Sequence, residues 1–407
     1  MDTSGPWTRA SGATGLLSDG IARPTVFARI SARAAETCAA NLGQGFPDTD
    51  PPHKVAEAAI AAIRAGHNQY PPGAGEPVLR EAIALHQQRR YGLDWDPAGE
   101  VLVTTGATEA LAATVLALVE PGDEVITREP FYDQYAALIA LAGGVHRTVP
   151  LRIAPGADGD LATTVDAAEL RSAFGPRTRL VIVNSPHNPT GAVLDREVLV
   201  AIVEEAVRHD ALIVTDEVYE HLTYGPAHVP IATLPGARER TVSISSAGKT
   251  FSVTGWKIGW VTAPSPLVTA ITGTKQWLTY TSGAPFQHAV AEGLRMPDEA
   301  IAGIADDLRE RRDLLVAGLR SVGFTVGVPE AGYFVVADAA GLGEPDAEAL
   351  CERLPTEAGV AAIPLTAFYR PGSAESAAAG SLLRLAFCKD RPTIELALER
   401  LAGWSGR

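Results

Sequence analysis

The sequence contains few lysines and few cysteines, and it has no long apolar run. Only five of its 407 residues are lysine, three are cysteine, and the formal net charge is −14. An acidic chain without a basic run is a poor match for a polyanion, so no nucleic-acid partner is expected. No uninterrupted apolar stretch approaches the ~20 residues that span a bilayer, so no membrane partner is expected.

The cysteines exclude two further classes of protein. Cys38, Cys351 and Cys388 are odd in number, far apart and without CxxC spacing, which favours neither a disulfide framework nor a zinc site. No metal is therefore expected. The first thirty residues lack the continuous apolar core of a secretory signal, and a reducing cytoplasm is the expected location.

Several catalytic motifs are absent. The tripeptide at 248–250 reads GKT, like the end of a phosphate-binding P-loop, but Ser243 stands where the first glycine is required. The nearest GxGxxG candidate has Val78 in place of its third glycine. Neither a GxSxG elbow nor an HExxH helix occurs, so serine-hydrolase and zinc-protease functions have no support.

What is present is an alternation of short β-rich runs with helical spacing, which predicts an α/β fold with a mainly parallel sheet. Because the runs are almost continuously apolar, we expect strands that are buried on both faces. The predicted strands are VLVTT (101–105), EVITR (124–128), RLVIVN (179–184), ALIVT (211–215) and TVSIS (241–245). Helical spacing occurs at 107–119, 131–142, 195–208, 297–320 and 391–403, and further short runs are GYFVV (332–336) and LLRLAF (382–387).

Lys249 is the first candidate catalytic residue, within the stretch SSAGKTFSVTGWKIGW at 245–260. Small neighbours leave room for a flat ligand to approach its amine, which is nucleophilic only when neutral. Lys257 lies eight residues further on and can supply positive charge. The alternative is that Lys249 is a solvated loop lysine.

Polar residues follow two other predicted strands. In NSPHNPTG (184–191), Asn188 can donate an amide hydrogen bond to a ligand, or simply form a turn. In TDEVYEHL (215–222), Asp216 can pair with a protonated ring nitrogen and Tyr219 with a phenolate oxygen. A helix cap and a core tyrosine are the corresponding alternatives. His221 has no companion at metal-ligand spacing and is expected to be structural.

The turn GATEAL (106–111) follows the first predicted strand. The backbone N–H groups of Ala107 and Thr108, together with the Thr108 hydroxyl, can bind a phosphate at the positive end of a helix. Glu109 also fits ordinary capping of that helix. Ser246 and Lys257 are further candidates to bind the phosphate.

These motifs, in this order, resemble the class I/II pyridoxal-phosphate aminotransferases of fold type I from about residue 25 to 400. Among them the chain is most similar to the branch of N-succinyldiaminopimelate, kynurenine and glutamine aminotransferases. Further stretches with that branch's appearance are LGQGFPD (42–48), NQYPPGAGEPVLR (68–80), GDEVITREPFYDQY (122–135), GVAAIP (359–364) and LRLAFCKD (383–390).

The resemblance implies a large seven-stranded sheet domain and a smaller α+β domain. It implies an N-terminal arm at 1–20, a large cofactor-binding domain at 46–285, and a small domain formed by 21–45 and 286–407.

The resemblance also implies the role of each site residue in binding pyridoxal 5'-phosphate. Lys249 binds the cofactor covalently and moves a proton, Asp216 pairs with the pyridine nitrogen, and Tyr219 contacts the ring oxygen. Asn188 and Tyr132 contact the ring. The phosphate is bound by Ala107, Thr108, Ser246, Lys257 and a second subunit's Tyr70. The substrate carboxylate is bound by Arg384, Gly45 and Asn188.

The implied activity is ping-pong transfer of an amino group between an L-amino acid and a 2-oxo acid, in a homodimer with shared active sites. N-Succinyl-L,L-diaminopimelate with 2-oxoglutarate and glutamate is the leading substrate set. A broad glutamine, methionine, kynurenine or aromatic aminotransferase remains open, as does a β-lyase or an oxidase on the same scaffold. A cofactor-binding regulatory domain is disfavoured, because the N-terminus is too short and not basic enough for a DNA-binding module.

Overall fold

The computed structural model describes residues 5–405, which form two main sheets covered by helices. The helices are α1 Pro6–Ala13, α2 Val26–Thr37, α3 His53–Arg64, α4 Pro77–Tyr91, α5 Gly106–Leu118, α6 Gln134–Ala142, α7 Ala167–Ser172, α8 Arg196–Arg208, α9 Ala247–Thr250, α10 Ser265–Lys275, α11 Ala284–Leu294, α12 Asp298–Val322, α13 Ala347–Glu357, α14 Ala374–Ala378 and α15 Arg391–Ser405.

The strands are β1 Leu17–Ser18, β2 Ile21–Ala22, β3 Ala40–Asn41, β4 Val101–Thr105, β5 Glu124–Glu129, β6 Val145–Pro155, β7 Leu161–Val165, β8 Thr178–Asn184, β9 Leu212–Asp216, β10 Thr241–Ser246, β11 Ile258–Thr262, β12 Thr325–Val326, β13 Phe334–Asp338, β14 Val360–Ala361, β15 Ile363–Pro364 and β16 Leu382–Ala386.

The large sheet has the strand order β4-β11-β10-β9-β8-β5-β6-β7. Four of its seven pairings are parallel, from β10 across to β6. Its central strands are almost entirely buried, in agreement with the largely apolar content of their sequences. The α/β class and the mainly parallel sheet are therefore confirmed.

The number of strands differs from the sequence-based prediction. Seven strands were expected, but β7 pairs antiparallel with β6 and adds an eighth at the edge. The residues of β7 alternate between less and more exposed positions, so this strand lacks the apolar run that marks a central strand. It was overlooked for that reason.

The five strands predicted in this sheet begin and end within one residue of the observed bounds. The predicted helix at 131–142 begins three residues later, at Gln134. Strand β13 begins two residues later than the GYFVV run, because Gly332 has a φ of +73° and belongs to the preceding turn.

The topology brings the ends of four strands to one edge of the large sheet. Strands β8, β9 and β10 run parallel, and β4 has the same direction because β11 is antiparallel to both β10 and β4. Their carboxyl ends therefore lie side by side. Ligands of open α/β sheets bind at this edge, and the candidate residues follow these four strands.

The smaller sheet has the order β12-β13-β16-β15, and all its pairings are antiparallel. Helices α12 and α15 pack on each other beside it, and α13 packs on α2. One buried apolar cluster joins these elements, whereas three others flank the large sheet. This agrees with a smaller α+β lobe, and the domain bounds given above stay a prediction.

The described part of the predicted N-terminal arm contains helix α1, which packs against α6. Arg9 Nε donates to the carbonyl oxygen of Ala140 over 3.3 Å. Within residues 5–405, none of the helices has the length and apolarity required to cross a bilayer.

Candidate active site

A cavity of about 280 Å³ lies at the carboxyl ends of β4, β8, β9 and β10. Nine of the predicted site residues line it: Ala107, Thr108, Tyr132, Asn188, Asp216, Tyr219, Ser246, Lys249 and Lys257. Gly45 and Arg384 adjoin this group through hydrogen bonds to Lys249 and Asn188. Tyr70 lies elsewhere.

Lys249 extends from the short helix α9, directly after β10. Its Nζ donates to the carbonyl oxygen of Gly45 over 3.4 Å and lies 5.6 Å from the ring centre of Tyr333. Burial is the main cause that lowers the pKa of Lys249 from 10.5 to about 8, while Cys388 and Asp216 oppose it. A substantial fraction of the amine is therefore neutral near pH 8, as a nucleophile or a base requires.

Asp216 ends strand β9 and is only 5% exposed. Its Oδ2 accepts a hydrogen bond of 2.5 Å from the Tyr135 hydroxyl, and Asn184 Nδ2 donates to its backbone oxygen over 2.9 Å. Burial raises the pKa of this carboxyl, and the Tyr135 bond opposes the rise. Between residues 5 and 405 no cation forms an ion pair with it, so a cationic ligand nitrogen would suit it.

Tyr135 was not predicted, although its stretch FYDQY was singled out for its resemblance to the family. Helix α6 brings its hydroxyl to Asp216, and burial with that carboxylate beside it raises the pKa of Tyr135 well above its usual range. The tyrosine therefore remains a donor at any working pH. Its role was missed because nothing in the sequence shows which face of α6 turns toward β9.

The turn that is expected to bind a phosphate, called the anion-binding turn below, also lines the cavity, where α5 begins at Gly106. Lys257 Nζ lies 3.3 Å from Thr108 Oγ1. A Cβ at Gly259 would lie 2.6 Å from the Gly106 carbonyl carbon, so only glycine allows the backbone of β11 to pack on this turn. Free N–H groups at a helix start and a nearby ammonium suit a phosphate.

Ser246 and Tyr132, which were also predicted as site residues, line the cavity. Ser246 Oγ accepts from the backbone N of Gly248 over 3.2 Å and caps α9. Burial raises the pKa of Tyr132 to about 12, so it stays protonated. Its ring lies 5.8 Å from that of Tyr135, edge to face.

Tyr219 and Asn188 lie on the side facing the small lobe. Tyr219 is buried, its ring meets Tyr333 edge to face at 5.1 Å, and burial raises the pKa of its hydroxyl. The backbone N of Asn188 donates to Asn184 Oδ1 over 2.8 Å, which fixes the loop after β8. Asn188 Oδ1 accepts from Arg384 Nη1 over 3.0 Å, which connects this loop with the small lobe.

Arg384 lies in strand β16, and the structure buries it almost completely. Its Nη2 donates to the carbonyl oxygen of Gly43 over 3.0 Å. Its guanidinium carbon lies 3.8, 4.7 and 5.4 Å from the ring centres of Phe334, Phe368 and Phe27.

Burial lowers the pKa of Arg384 to about 10, which leaves it cationic at neutral pH. It forms no ion pair with a carboxylate of the described residues, and its Nε has no hydrogen-bond partner. An arginine buried in this way favours an external anion.

Gly45 supplies a backbone oxygen between Lys249 and the small lobe. This oxygen accepts from the Tyr333 hydroxyl over 2.5 Å and from Lys249 Nζ. A Cβ at Gly45 would lie 2.4 Å from Phe334 Cζ, so the position admits no side chain without displacing the ring that stacks on Arg384.

Tyr70 is 87% exposed and lies in a separate groove formed by 68–71 and 281–285. Its ring meets Tyr280 edge to face at 6.0 Å. In this single chain it does not reach the anion-binding turn of its own cavity. The expectation that it serves a second subunit stays a prediction.

Several lining residues were not predicted. They are Gly106, Leu111, Gln134, Asn184, Val218, Gly248 and Thr254. Gly106, Val218 and Gly248 directly precede the predicted residues Ala107, Tyr219 and Lys249. Asn184 differs from these, because its side chain bonds to Asp216, Pro186 and Asn188 and so links two strand ends. Its position at the end of a buried strand was the available signal.

The cavity therefore combines four complementary features. It offers an amine of lowered pKa, a buried carboxylate and a helix start suited to an anion, and the buried Arg384 adjoins it; neither the carboxylate nor this arginine forms an ion pair within residues 5–405. A flat ring with a phosphate at one end, a protonated nitrogen at the other and an aldehyde group for the amine would meet the first three. An amino or oxo acid bound through its carboxylate would meet the fourth.

Comparison with known proteins identifies relatives of the whole chain. A family model described as aminotransferase class I and II matches residues 39–401. The probable N-succinyldiaminopimelate aminotransferase of Mycobacterium tuberculosis is 50% identical over 93% of this chain and 95% of its own length. The methionine aminotransferase of Escherichia coli is 39% identical over 93% of this chain and 95% of its own length.

Similar solved structures are also aminotransferases. The structure of N-succinyldiaminopimelate aminotransferase from Mycobacterium tuberculosis matches with a TM-score of 0.89 and 49% identity, covering 94% of this chain and 97% of the other. An aspartate aminotransferase from Thermus thermophilus with maleate matches with a TM-score of 0.84 and 35% identity, covering 94% and 97%.

Proposed function

The chain belongs to the class I and II aminotransferase family, and we propose that the cavity around Lys249 is where it transfers amino groups. It is a pyridoxal 5'-phosphate-dependent transaminase of fold type I. Amino acids and 2-oxo acids are its substrates. The observation that carries the site proposal is the position of the Lys249 amine in one cavity with an anion-binding turn and a cation-free Asp216.

The described residues fit the cofactor. Ala107, Thr108, Ser246 and Lys257 would bind its phosphate, and Asp216 would pair with its ring nitrogen, which explains a buried carboxylate without a cation. When bound, the cofactor supplies an electron sink for the electrons released at the substrate's Cα.

Lys249 would have two functions in turn. Its amine would hold the cofactor covalently. Once released by the substrate's amino group, the same amine would act as the base that accepts the proton from the substrate's Cα. The lowered pKa supports this proposal, because a base must be neutral at the working pH.

Arg384 would bind the substrate's α-carboxylate, with the Asn188 amide and the Gly45 backbone beside it. The geometry that supports this is a guanidinium stacked on Phe334 with one nitrogen unused. A carboxylate there would neutralise a buried charge, so the interaction is stronger than a surface ion pair.

N-Succinyl-L,L-diaminopimelate is the proposed amino donor, with 2-oxoglutarate as acceptor. The support for this proposal is that the probable N-succinyldiaminopimelate aminotransferase of Mycobacterium tuberculosis is 50% identical to this chain. The methionine aminotransferase and kynurenine–oxoglutarate transaminase 3 of Mus musculus are each 39% identical. A broad methionine or kynurenine transaminase is the second candidate. The two cationic side chains in the described lining of the cavity, Lys249 and Lys257, are both assigned to the cofactor and so do not distinguish the two candidates.

The test is a panel of amino donors, each mixed with the loaded enzyme in the absence of an acceptor. Productive donors should abolish the visible absorption band of the bound cofactor and release the matching oxo acid. We expect N-succinyl-L,L-diaminopimelate to have the highest kcat/KM. If methionine or kynurenine exceeds it tenfold, the second candidate is correct, and if ammonia is released instead of an oxo acid, the reaction is a lyase or an oxidase reaction.

A homodimer is proposed from an exposed apolar patch. Tyr70, Trp277, Leu278 and Tyr280 are 87, 80, 45 and 49% exposed and cluster around the groove of residues 68–71 and 281–285. Exposed apolar surface of this kind marks an interface. A second copy of the chain would cover it and bring Tyr70 to the other cavity's phosphate.

The cytoplasm remains the proposed location. The three cysteines form no disulfide, and Cys351 and Cys388 are buried as free thiols. Reduced buried thiols fit a reducing compartment.

A further inference from the structure

The two segments that carry the proposed catalytic residues come from different strands. Asp216 and Tyr219 follow β9, whereas Ser246 and Lys249 follow β10. Backbone pairing ends with Ile244 opposite Asp216, so beyond that point the ladder no longer fixes one segment relative to the other. Something else must set the distance between the carboxylate and the amine.

Side-chain hydrogen bonds cross between the segments at two places directly behind the cavity. Glu220 Oε1 accepts from Ser245 Oγ over 2.5 Å. His221 Nδ1 lies 2.8 Å from Thr250 Oγ1. Each bond joins a residue one or two positions after Tyr219 with a residue flanking Ser246 or Lys249, and all four side chains are buried. Glu220, His221, Ser245 and Thr250 are called the cross-link below.

A third element fixes the cross-link from outside. His86 of helix α4 places its Nε2 2.8 Å from Nε2 of His221. Burial lowers the pKa of His86 to about 3 and that of His221 well below its usual range, so both rings are neutral. A neutral His221 has one donor and one acceptor nitrogen, and it can therefore bond to His86 and Thr250 at the same time.

Sequence spacing gave no hint of this contact, because His86 and His221 are 135 positions apart. His221 was expected to lack a metal-spaced companion, yet His86, Glu220 and His221 present ligand atoms within 4.8 Å of one another. The His–His separation argues against a shared ion. Two nitrogens about 2.0–2.1 Å from a tetrahedral zinc are roughly 3.3 Å apart, whereas these two are at hydrogen-bond distance.

We propose that His221, held by His86, and Glu220 are positioning residues that set Lys249 and Ser246 against Asp216 and Tyr219. Neither His221 nor Glu220 lines the cavity, and they act through the Thr250 and Ser245 hydroxyls. The proposal rests on the proposed function, because the cross-link has a positioning role only if Lys249 and Asp216 act on the same bound ring. Misplacement of a reacting group by about 1 Å can cost about 100-fold in rate.

Two substitutions of His221 separate its two bonds. H221N places an amide where Nδ1 lies and keeps the bond to Thr250, whereas H221Q reaches the position of Nε2 and keeps only the bond to His86. T250V removes the hydroxyl with little change of volume, and T250S restores it. All four variants are measured as loaded enzyme.

H221Q and T250V should lower kcat by about 10-fold to 100-fold while KM for the amino donor changes less than about threefold. The midpoint of the pH titration of the bound cofactor's visible band should shift in both, because the Lys249–Asp216 geometry has changed. H221N and T250S should retain most of kcat and the wild-type midpoint, although H221N should lower Tm.

Two other outcomes would overturn the proposal. If H221Q and T250V lower Tm but leave kcat, KM and the midpoint unchanged, the cross-link is only structural and the proposal is wrong. If metal analysis of the wild-type enzyme finds one divalent ion per chain that E220Q loses, the cluster is a cation site and the proposal is wrong. Failure of the proposed function would appear differently, as a wild-type enzyme without a cofactor band or transamination.

Discussion

The Tyr135 hydroxyl donates to Asp216 Oδ2 over 2.5 Å beneath the cavity. The donor lies in helix α6 and the acceptor at the end of strand β9, so the bond fixes the direction of the carboxylate. It also opposes the effect of burial on the pKa of Asp216. An ionised Asp216 is what a protonated ring nitrogen needs, and we therefore expect Tyr135 to support cofactor binding through Asp216.

Replacing Tyr135 with phenylalanine should raise the pKa of Asp216 further, because the bond that stabilises its ionised form is lost. We expect kcat to fall by about 10-fold and the cofactor to bind more weakly, with a loss of about 1–2 kcal/mol in the free energy of unfolding. Stopped-flow kinetics and equilibrium titration of the cofactor measure both effects.

Tyr224→Phe is the matched control. It removes the hydroxyl that donates to the backbone oxygen of Gly332, and Tyr224 does not line the cavity. A similar loss of kcat in both variants would mean that a general weakening of the core, and not Asp216, explains the result.

The pH dependence of cofactor capture follows from Lys249. Its pKa is lowered from 10.5 to about 8, so the fraction of neutral amine rises with pH and levels off above that value. The rate at which the apoenzyme captures pyridoxal 5'-phosphate covalently should follow the same curve. A midpoint near 10.5 would contradict the proposed burial of this amine.

The same shift makes the stability of the apoenzyme depend on pH. The unfolded chain binds more protons at Lys249 than the folded chain between about pH 8 and pH 10.5, so the contribution of this residue to stability rises with pH in that window. Urea unfolding of wild type and Lys249→Met at several pH values measures the difference. Equal slopes for the two proteins would contradict the expectation.

Arg384→Lys should weaken substrate binding more than cofactor binding. A lysine cannot form the two parallel hydrogen bonds of a guanidinium, nor can it stack flat on Phe334. We expect kcat/KM for amino acids to fall by about 100-fold while the cofactor's visible band is unchanged. A primary amine without a carboxylate is the control substrate, and its slow reaction should be the same in both enzymes.

Mixing two inactive variants tests the shared active site. Lys249→Ala lacks the amine, and Tyr70→Ala lacks the proposed phosphate contact to the other subunit. A hybrid dimer contains one cavity with both defects and one with neither. After unfolding and refolding an equal mixture, activity should recover to roughly a quarter of wild type. If the mixture equals the mean of the two variants refolded alone, Tyr70 does not act across an interface.

The sequence predicted five of the eight strands of the large sheet, β4, β5, β8, β9 and β10, because burial on both faces leaves a largely apolar run. Strand β11 is just as buried but was not among the predicted strands. Strand β7 lies at the edge with one face exposed, so it left no such run. The cavity residues after β4, β8, β9 and β10 could be found because polar side chains at strand ends are rare and costly. Contacts that depend on helix rotation or long sequence separation, such as Tyr135 with Asp216 and His86 with His221, have no local signal.

The tight packing of Gly259 against the turn at Gly106 limits how the enzyme can be redesigned. The backbone of β11 packs directly on the backbone of that turn, so Gly259 accepts no side chain, and the neighbouring Thr108 and Lys257 are the proposed phosphate contacts. Arg384, which adjoins the cavity, is surrounded by the side chains of Phe27, Phe334 and Phe368. Directed evolution of substrate preference should therefore vary these aromatic residues and leave the turn unchanged.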